Sequence, residues 1–357
     1  MCPDGSRTSD AGRRIDAWVA THRDDIVDLA SELIAIPSAT EPPAGHEARA
    51  QTALADIWAR AGGRLDVFAP DEVREIADHP LYRPEWDGMR RPLSGRPVVV
   101  ARWRGRPEAP GAGPPPTSPP RSLLLSAHVD TMPAGLAPWT VTAPFAPRVV
   151  GNRLYGRGSY DTKGMFAVYT AVVRCAAELG LQGRGDLIVE SVCDEEYGGS
   201  HGCLAARLRG HRADAAINGE PTHMIPCISH NGGGEWRVSA GGGGGGMAFA
   251  GEDLGNPITT LAEIALAVDR WRQVRECAAR TDGSGDSAPG VYIAQVCAGG
   301  SRYADLFGVP ADGHMYLWIE EGPDVTAEAH AAGLRAALAD VPRNVPWSLR
   351  QTIRYLP

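Results

Sequence analysis

Histidine and acidic residues recur at the ends of apolar segments in the middle of the sequence. The segments are SAHVD with His128 and Asp130, GRGSYDTKG with Asp161, VCDEE with Glu195 and Glu196, and INGEP with Glu220. Imidazole and carboxylate groups are ligands that Zn²⁺, Co²⁺ or Mn²⁺ accept, and a shared carboxylate can hold two such ions about 3.5–4 Å apart. Together, these residues could form a metal site.

The same residues also allow a division of roles. In His-x-Asp, the aspartate can accept the second ring N–H of the histidine and fix its tautomer. Of two adjacent glutamates, one can bind metal while the other takes a proton from bound water. Taken singly, a His-x-Asp pair is usually a capped turn or a surface pair, and an Asp-Glu-Glu run is usually a solvated loop. The joint order and spacing of the segments favour the metal site.

The elements that would position these residues alternate between helix and strand. Apolar spacing predicts helices over 15–36, 45–61 and 161–179 and in SHGCLAARLR. Apolar or β-branched runs predict strands in RPVVVARWRG, RSLLLSAHV, DLIVESVCDEE and ADAAINGE. This order predicts the α/β class, with a mostly parallel sheet flanked by helices. The candidate ligands lie at or just beyond the ends of predicted strands, where open α/β sheets bind their ligands.

The pattern changes after Ile225. Strand, helix, strand, strand and helix follow in that order, which predicts a small α+β domain inserted into the first. We therefore divide the chain into a metal-binding catalytic domain over 1–225, an inserted domain over 226–342 and a return towards the catalytic domain over 343–357. The proline-rich stretch over 106–120 is predicted to be a surface loop or a hairpin excursion.

Length and composition agree with two globular domains. The chain has 357 residues, of which 43% are hydrophobic and 22% charged, and this excludes disorder throughout. A formal net charge of −8 gives no electrostatic reason to expect nucleic acid or an anionic membrane as a partner.

The sequence also predicts a cytoplasmic location. It has no run of eighteen apolar residues, and MCPDGSRTSDAGRR at its start lacks the apolar segment of a signal peptide. The seven cysteines are scattered without a CxxC pair, which is typical of reduced thiols and argues against a disulfide framework or a zinc ribbon.

Several long motifs in a fixed order carry a resemblance to a known family. They are LIAIPSAT, SAHVDTMPAG, RLYGRGSYDTKGMFAVYTAV, DEEYGG, INGEPT and SHNGGGEWRVS. On these motifs, the chain from about Asp24 onwards resembles the M20 family of metallopeptidases and amidohydrolases. That family includes acetylornithine deacetylase, succinyl-diaminopimelate desuccinylase, aminoacylase and carboxypeptidase G2-like enzymes.

The resemblance implies a dinuclear metal centre, normally of zinc, with cobalt or manganese as alternatives. His128 would bind one metal, and Asp161 would bridge both. Glu220 would complete the first site, and Glu196 would bind the second metal. The inserted domain would serve in dimerisation or as a lid, so a homodimer is an expected assembly.

By the same resemblance, Glu195 would be the general base, and Asp130 would orient His128. Lys163, the only lysine of the chain, would support its motif without a catalytic role, with a surface lysine as the alternative. The implied reaction is hydrolysis of an amide bond in an N-acyl amino acid or a small peptide. In it, Glu195 takes a proton from a water that bridges the metals and later gives it to the departing amine.

Two departures from the family pattern bear on this expectation. The sequence ends at SLRQTIRYLP, where we expect the return to the catalytic domain to begin, so the C-terminal catalytic segment and its histidine ligand would be lacking. AGGGGGGMAFA stands where the family usually carries a histidine that stabilises the oxyanion. His201 and His223 lie near the acidic ligands in sequence and could substitute, but polar roles at a helix start or in a loop are favoured.

Three interpretations follow from these features. The first is a metal-dependent amidohydrolase in which another group replaces the missing ligand. The second is a degenerate or truncated family member that binds metal or ligand without turnover. The third is an incomplete product of a longer reading frame.

Overall fold

The computed structural model describes residues 9–41, 43–106, 119–241, 255–281, 290–299, 308–321, 327–342 and 345–355. The chain divides into two compact units, Met1–Ile225 and Pro226–Pro357. Most of the predicted proline-rich loop and most of the polyglycine tract lie outside the described residues.

The described part of the first unit has five α-helices, and most of them coincide with segments that the sequence predicts to be helical. They are α1 (Asp10–Thr21), α2 (Arg23–Ile34), α3 (Ala48–Arg60), α4 (Lys163–Glu178) and α5 (Gly202–Leu208), with a 3₁₀ turn at Pro70–Glu72. The prediction of one helix over 15–36 is wrong. His22 leaves the helical conformation, with φ −105° and ψ 14°, and so separates α1 from α2.

The strands of the first unit include several that the sequence pattern did not predict. They are β1 (Thr40–Glu41), β2 (Ala44–Gly45), β3 (Arg64–Phe68), β4 (Glu85–Trp86), β5 (Met89–Arg90), β6 (Val98–Trp103), β7 (Leu123–His128), β8 (Arg148–Val150), β9 (Arg153–Tyr155), β10 (Leu187–Val192) and β11 (Ala215–Asn218). The pairs β1–β2, β4–β5 and β8–β9 are short antiparallel ribbons.

The main sheet of this unit has five described strands in the order β11-β7-β10-β6-β3. Strands β11, β7 and β10 are parallel, whereas β6 runs antiparallel to both of its neighbours. The α/β class is confirmed, and the expected mostly parallel sheet is a mixed one, because β6 reverses direction between β10 and β3.

Helices and loops cover both faces of this sheet, so its central strands are apolar on both sides. On one face, Val99 and Leu125 pack with α2, α3 and α4, through side chains such as Trp58 and Phe166. On the other face, alternate strand residues pack against α5 and the segment after β3. This burial explains why the strands appear in the sequence as continuous apolar runs.

The second unit is an antiparallel sheet with helices packed against it. Its described elements are β12 (Gly232–Gly241), α6 (Pro257–Thr281), β13 (Val291–Ala298), β14 (Asp312–Glu321), α7 (Ala327–Ala337) and β15 (Trp347–Tyr355). The sheet order is β13-β14-β12-β15. Leu261 and Ile264 of α6, Leu334 of α7 and Leu317 of β14 share one buried core.

The last strand corrects one expectation. Residues 343–357 were expected to begin a return to the first unit, but β15 pairs antiparallel with β12 along nearly its whole length. The sheet of the second unit therefore gains its fourth strand from this segment.

No helix within the described ranges combines the length and the apolar character needed to cross a lipid bilayer. The six cysteines in those ranges are free thiols.

Candidate metal centre

The candidate ligands meet at the carboxyl edge of the three parallel strands. In the sheet register, His128 at the end of β7 lies opposite Val192 at the end of β10, and Asn218 at the end of β11 lies opposite Ser126. The Asp-Glu-Glu loop and Glu220 follow directly after β10 and β11. Three loops therefore deliver polar side chains to one edge of the sheet.

His128 is buried, and both of its ring nitrogens have neighbours. Nε2 lies 2.8 Å from Oδ1 of Asp161, and Nδ1 lies 2.9 Å from the backbone carbonyl oxygen of Asp130. Oδ1 of Asp130 is 3.7 Å from Nδ1, which is beyond hydrogen-bond distance. Within hydrogen-bond distance of Nδ1 is thus the backbone oxygen of Asp130 and not its carboxylate.

The glycine-rich turn brings Asp161 to His128. Gly158 has φ +84°, a conformation that favours glycine. The Asp161–Thr162 peptide bond is cis. The buried hydroxyl of Thr162 accepts the backbone N–H of His128 at 3.1 Å and donates to its carbonyl oxygen at 2.8 Å. Two hydrogen bonds therefore attach the turn to the end of β7 beside Asp161.

Lys163, the first residue of α4, is completely buried, which excludes the surface-lysine alternative. Its Nζ donates to the carbonyl oxygen of Ile36 at 2.8 Å and to that of Ile34 at 3.3 Å, and lies 5.4 Å from the centre of the Phe145 ring. Burial lowers the pKa of Lys163 to about 7. Because both carbonyls stand at the C-terminal end of α2, Lys163 joins that end to the start of α4.

The carboxylate of Asp130 organises the two adjacent glutamates. Its Oδ1 accepts the backbone N–H of Glu195 and its Oδ2 accepts that of Glu196, each at 3.1 Å. Oε1 of Glu196 in turn accepts the backbone N–H of Met132 at 2.8 Å. Asp130 therefore contacts three of the other predicted site residues, through its backbone oxygen and its carboxylate.

Glu220 and Glu195 approach the imidazole from two different loops. Oε2 of each lies 3.8 Å from Nε2 of His128. The other carboxylate oxygen of Glu220 accepts a hydrogen bond from Nδ2 of Asn218 at 3.2 Å. Glu195 is as close to the imidazole as Glu220 is, so proximity alone does not separate a base from a ligand.

Two overlapping groups of ligand atoms have the spacing of a metal site. His128, Glu195 and Glu220 form one group, and His128, Asp161 and Glu196 form the other; within each group all ligand atoms lie within 4.8 Å of one another. Ligands about 2.0–2.2 Å from a zinc ion lie at comparable or shorter separations. The structure thus brings together all five predicted ligand and base residues.

Crowding and burial raise the pKa values of the acidic groups. Burial, with the nearby charge of Asp161, raises the pKa of Glu196 to about 7. Burial, with the charges of Glu195 and Asp161, raises the pKa of Glu220 to about 7. Burial also raises the pKa of Glu195. Loss of hydration on burial is the larger cause, and repulsion between neighbouring carboxylates adds to it, because each disfavours the ionised form of the next.

The same negative surroundings act on the imidazole in the opposite direction. Burial disfavours the charged ring of His128, but the hydrogen bond that its ring donates to Asp161 and the charges of Asp130 and Glu195 outweigh burial and raise its pKa. One imidazole surrounded by carboxylates is a donor set that suits a divalent cation of the zinc type. The residues present therefore fit the metal that the resemblance implies.

Two further histidines occupy structural positions. His201 is fully buried, its Nε2 donates to the carbonyl oxygen of Arg83 at 3.0 Å, and its Nδ1 lies 3.2 Å from Oδ2 of Asp194. Nδ1 of His223 lies 3.4 Å from the hydroxyl of Tyr160. Neither belongs to a described group with metal-ligand spacing.

Sequence reasoning missed several residues around the site. Thr162 fixes the Asp161 turn, and Thr40, Arg91, Arg96 and Asp194 form a buried network behind the glutamates. Only Asp194 had a signal in the sequence, because it precedes the two glutamates in the acidic run.

Comparison with known proteins places the chain in a family. The model of peptidase family M20/M25/M40 matches residues 124–346, which include every predicted ligand. The chain belongs to this family.

Curated relatives match over shorter stretches. Succinyl-diaminopimelate desuccinylase from Variovorax paradoxus is 28% identical over 207 residues, which are 56% of this chain and 44% of that protein. Acetylornithine deacetylase from Salmonella typhimurium is 34% identical over 110 residues, which are 31% of this chain and 28% of that protein. The matched stretches thus span less than half the length of these relatives.

Solved structures share the fold at low sequence identity. Human carnosine dipeptidase 1 superposes with a TM-score of 0.69 at 17% identity, over 97% of this chain and 81% of that one. An M20 family metallo-carboxypeptidase from Sulfolobus solfataricus gives a TM-score of 0.55 at 15% identity, over 92% of this chain and 78% of that one.

Proposed function

We propose that this chain holds the divalent-metal centre of an amide-hydrolysing enzyme. The observation that carries the proposal is the meeting of one imidazole and four carboxylates, from separate loops, at the carboxyl edge of the parallel strands. Family membership supports the same reaction class.

Four side chains would hold the metal. His128, Asp161 and Glu220 would bind one ion, with Asp161 shared between two positions and Glu196 serving the second. Zinc is the proposed metal, with cobalt or manganese as substitutes that accept the same donors. When bound, such an ion polarises a carbonyl oxygen and acidifies water.

Glu195 would act as the general base. Its backbone N–H donates to Asp130, which anchors the residue beside the site, and burial raises the pKa of its carboxylate, which makes the carboxylate a better proton acceptor. Glu195 would take the proton of the attacking water and deliver it to the nitrogen of the departing amine. Asp130 would hold both Glu195 and the imidazole of His128 in place.

The proposed substrate is an N-acyl amino acid or a small peptide. The names of the relatives, a desuccinylase, a deacetylase and a dipeptidase, each describe cleavage of an acyl or peptide amide. Pairing of two chains through the second unit and a cytoplasmic location stay predictions.

The test is amine release by zinc- or cobalt-loaded protein from a panel of N-acyl amino acids and dipeptides. Glu195→Gln is the inactivating variant. Glu178→Gln, on the far end of α4, is the control because its amide can still accept the hydrogen bond from Nε1 of Trp18. We expect turnover by the wild type and the control, and a loss of about 10²–10⁴-fold for Glu195→Gln.

Two outcomes would contradict the proposal. Metal binding without turnover on any member of the panel would favour a binding protein of the same family. Turnover that Glu195→Gln leaves unchanged would remove Glu195 from the reaction.

A further inference from the structure

Asp194, which precedes the two glutamates of the site, has an unusual backbone conformation. Its φ is +60°, in the left-handed region that residues other than glycine rarely adopt. Such conformations persist where the surrounding structure holds them, and they cluster at functional sites. The contacts of the Asp194 side chain identify what holds it here.

The carboxylate of Asp194 is completely buried between two buried arginines. Its Oδ1 accepts a hydrogen bond from Nη1 of Arg96 at 2.6 Å, and its Oδ2 is paired with Nη1 of Arg91. Both arginine side chains are at most 3% exposed. Buried charges are costly unless they are paired, so removing the carboxylate would take one charged partner from each arginine, although Arg96 would keep its pairing with Glu47.

Each arginine is attached to a different part of the unit. Arg91 also donates to the carbonyl oxygen of Arg83 at 2.7 Å, to that of Tyr197 at 3.1 Å and to the hydroxyl of Ser200 at 3.2 Å. It therefore holds the residues on both sides of the glutamates.

Arg96 connects the same carboxylate to the imidazole side of the site. It is paired with Glu47 and donates to Oγ1 of Thr40 at 3.0 Å. The Thr40 hydroxyl lies 3.3 Å from Oδ2 of Asp130, the residue whose carboxylate accepts the N–H groups of both glutamates. A chain of polar contacts thus runs from Asp194 through Arg96 and Thr40 to Asp130. Asp130 in turn accepts the backbone N–H of Glu195, the residue next to Asp194.

We infer that Asp194 is a positioning residue. Its carboxylate is ion-paired with Arg91 and Arg96, and these pairs fix the left-handed turn from which Glu195 and Glu196 reach the proposed metal centre. The inference rests on the proposed function, because it assigns a purpose to the direction of those two glutamates. The polar partners of the Asp194 carboxylate are Arg91, Arg96 and His201, so we expect it to act on the two glutamates through the backbone of the loop.

The test measures metal binding by folded Asp194→Asn protein. Zinc affinity is read by competition with a chromophoric chelator, and the geometry of the site is read from the visible absorption of Co²⁺-loaded protein. Glu190→Gln is the matched control, because Glu190 is also a buried carboxylate paired with an arginine, Arg207, but lies within β10. Arg91→Lys is a second, milder variant, which keeps the charge but loses the forked contacts.

We expect Asp194→Asn to weaken zinc binding by about 10- to 100-fold, as loss of groups that orient metal ligands commonly does, and to change the Co²⁺ spectrum. Arg91→Lys should shift both readouts in the same direction by less. Glu190→Gln should lower the unfolding midpoint while leaving both readouts at wild-type values.

The outcomes separate this inference from the proposed function. If the wild type itself binds neither zinc nor cobalt, the proposed function fails. If the wild type binds and both Asp194→Asn and Arg91→Lys match it in affinity and spectrum, the network only stabilises the fold and the inference is overturned. If Asp194→Asn does not fold, Arg91→Lys against Glu190→Gln decides by the same readouts.

Discussion

The two adjacent glutamates have different proposed roles, Glu195 as the base and Glu196 as a metal ligand, and these roles predict different losses. One carboxylate oxygen of Glu196 accepts a backbone N–H from Met132, while Oε2 of Glu195 faces the imidazole of His128 at 3.8 Å. We expect Glu196→Gln to reduce the bound metal, and Glu195→Gln to keep the metal while losing turnover. Metal content and amine release measured on the same samples check this. Equal metal loss in both variants would contradict the assignment of Glu195 as base.

His201 predicts a pH dependence of stability with a defined sign. Burial lowers its pKa from 6.5 to about 4, so between these values the unfolded chain binds a proton that the folded chain excludes. This residue therefore reduces stability as the pH falls through that window. His201→Gln can keep the hydrogen bond to Arg83. We expect its free energy of unfolding, relative to that of the wild type, to be about 2 kcal/mol higher at pH 5 than at pH 7.

The comparison must be made between variants, because the acidic site acts in the opposite direction. Raised pKa values at Glu196 and Glu220 mean that the folded, metal-free chain binds protons more readily than the unfolded chain between about pH 4.5 and 7, which favours the fold in acid. Urea unfolding of metal-free protein at both pH values gives the difference, with His46→Gln, an exposed histidine, as control. A constant difference between wild type and His201→Gln would contradict the prediction.

At this scale, the sequence predicted which acidic residues and which histidine meet at the site, but not the residues that hold them. His128, Asp161, Glu195 and Glu220 stand in short motifs whose chemistry is local. Arg91 has no such motif, because its contact with the acidic loop spans 103 residues and follows only from the tertiary fold.

At the scale of elements, the turn before α4 depends on a glycine in a crowded position. A Cβ added to Gly158 would lie 2.7 Å from Cε of Lys163 and 3.0 Å from Cγ2 of Thr131, at φ +84°. Gly180 has φ +67°, but nothing lies within 4 Å of its added Cβ, so Gly180→Ala isolates the cost of the backbone alone.

We expect Gly180→Ala to cost about 1 kcal/mol of unfolding free energy, and Gly158→Ala to cost more and also to weaken zinc binding. The physical reason is that crowding at Gly158 displaces the turn that carries Asp161. Denaturant unfolding and chelator competition on both variants check this. Equal effects of the two substitutions would show that crowding at Gly158 is unimportant.

Lys163 makes a second prediction about elements, because it joins α2 to α4. Lys163→Met removes the ammonium and leaves the carbonyl oxygens of Ile34 and Ile36 without this donor. We expect a loss of about 1–3 kcal/mol of unfolding free energy. The control Arg23→Met removes an exposed cation from the other end of α2, and should change stability by less than about 0.5 kcal/mol. Similar small losses in both variants would contradict the proposed link.

Sequence patterns predicted most of these elements, and failed where tertiary pairing decides the outcome. Continuous apolar runs located β7 and β10, since both faces of those strands are buried. The reversed direction of β6 has no signature in its own residues, because direction is set by the strands that it pairs with. Strand β3 is a five-residue edge strand with a mixed burial pattern, which explains why it was missed.

At the scale of the whole molecule, every predicted ligand lies in the first unit, although the family match continues into the second. The order of elements after Ile225 was predictable in part because β12 and β14 alternate regularly between buried and partly buried residues. The placement of β15 was not, because its alternating residues suit any open sheet edge and only pairing with β12 decides which one.

The most direct test of the account is the number of zinc ions that each purified chain retains after loading and dialysis, measured beside His128→Ala. We predict one to two ions per wild-type chain, and at least one fewer in the variant, because His128 belongs to both groups of ligand atoms. No retained zinc in the wild type, or equal zinc in the two proteins, would contradict the metal centre on which the proposed function depends.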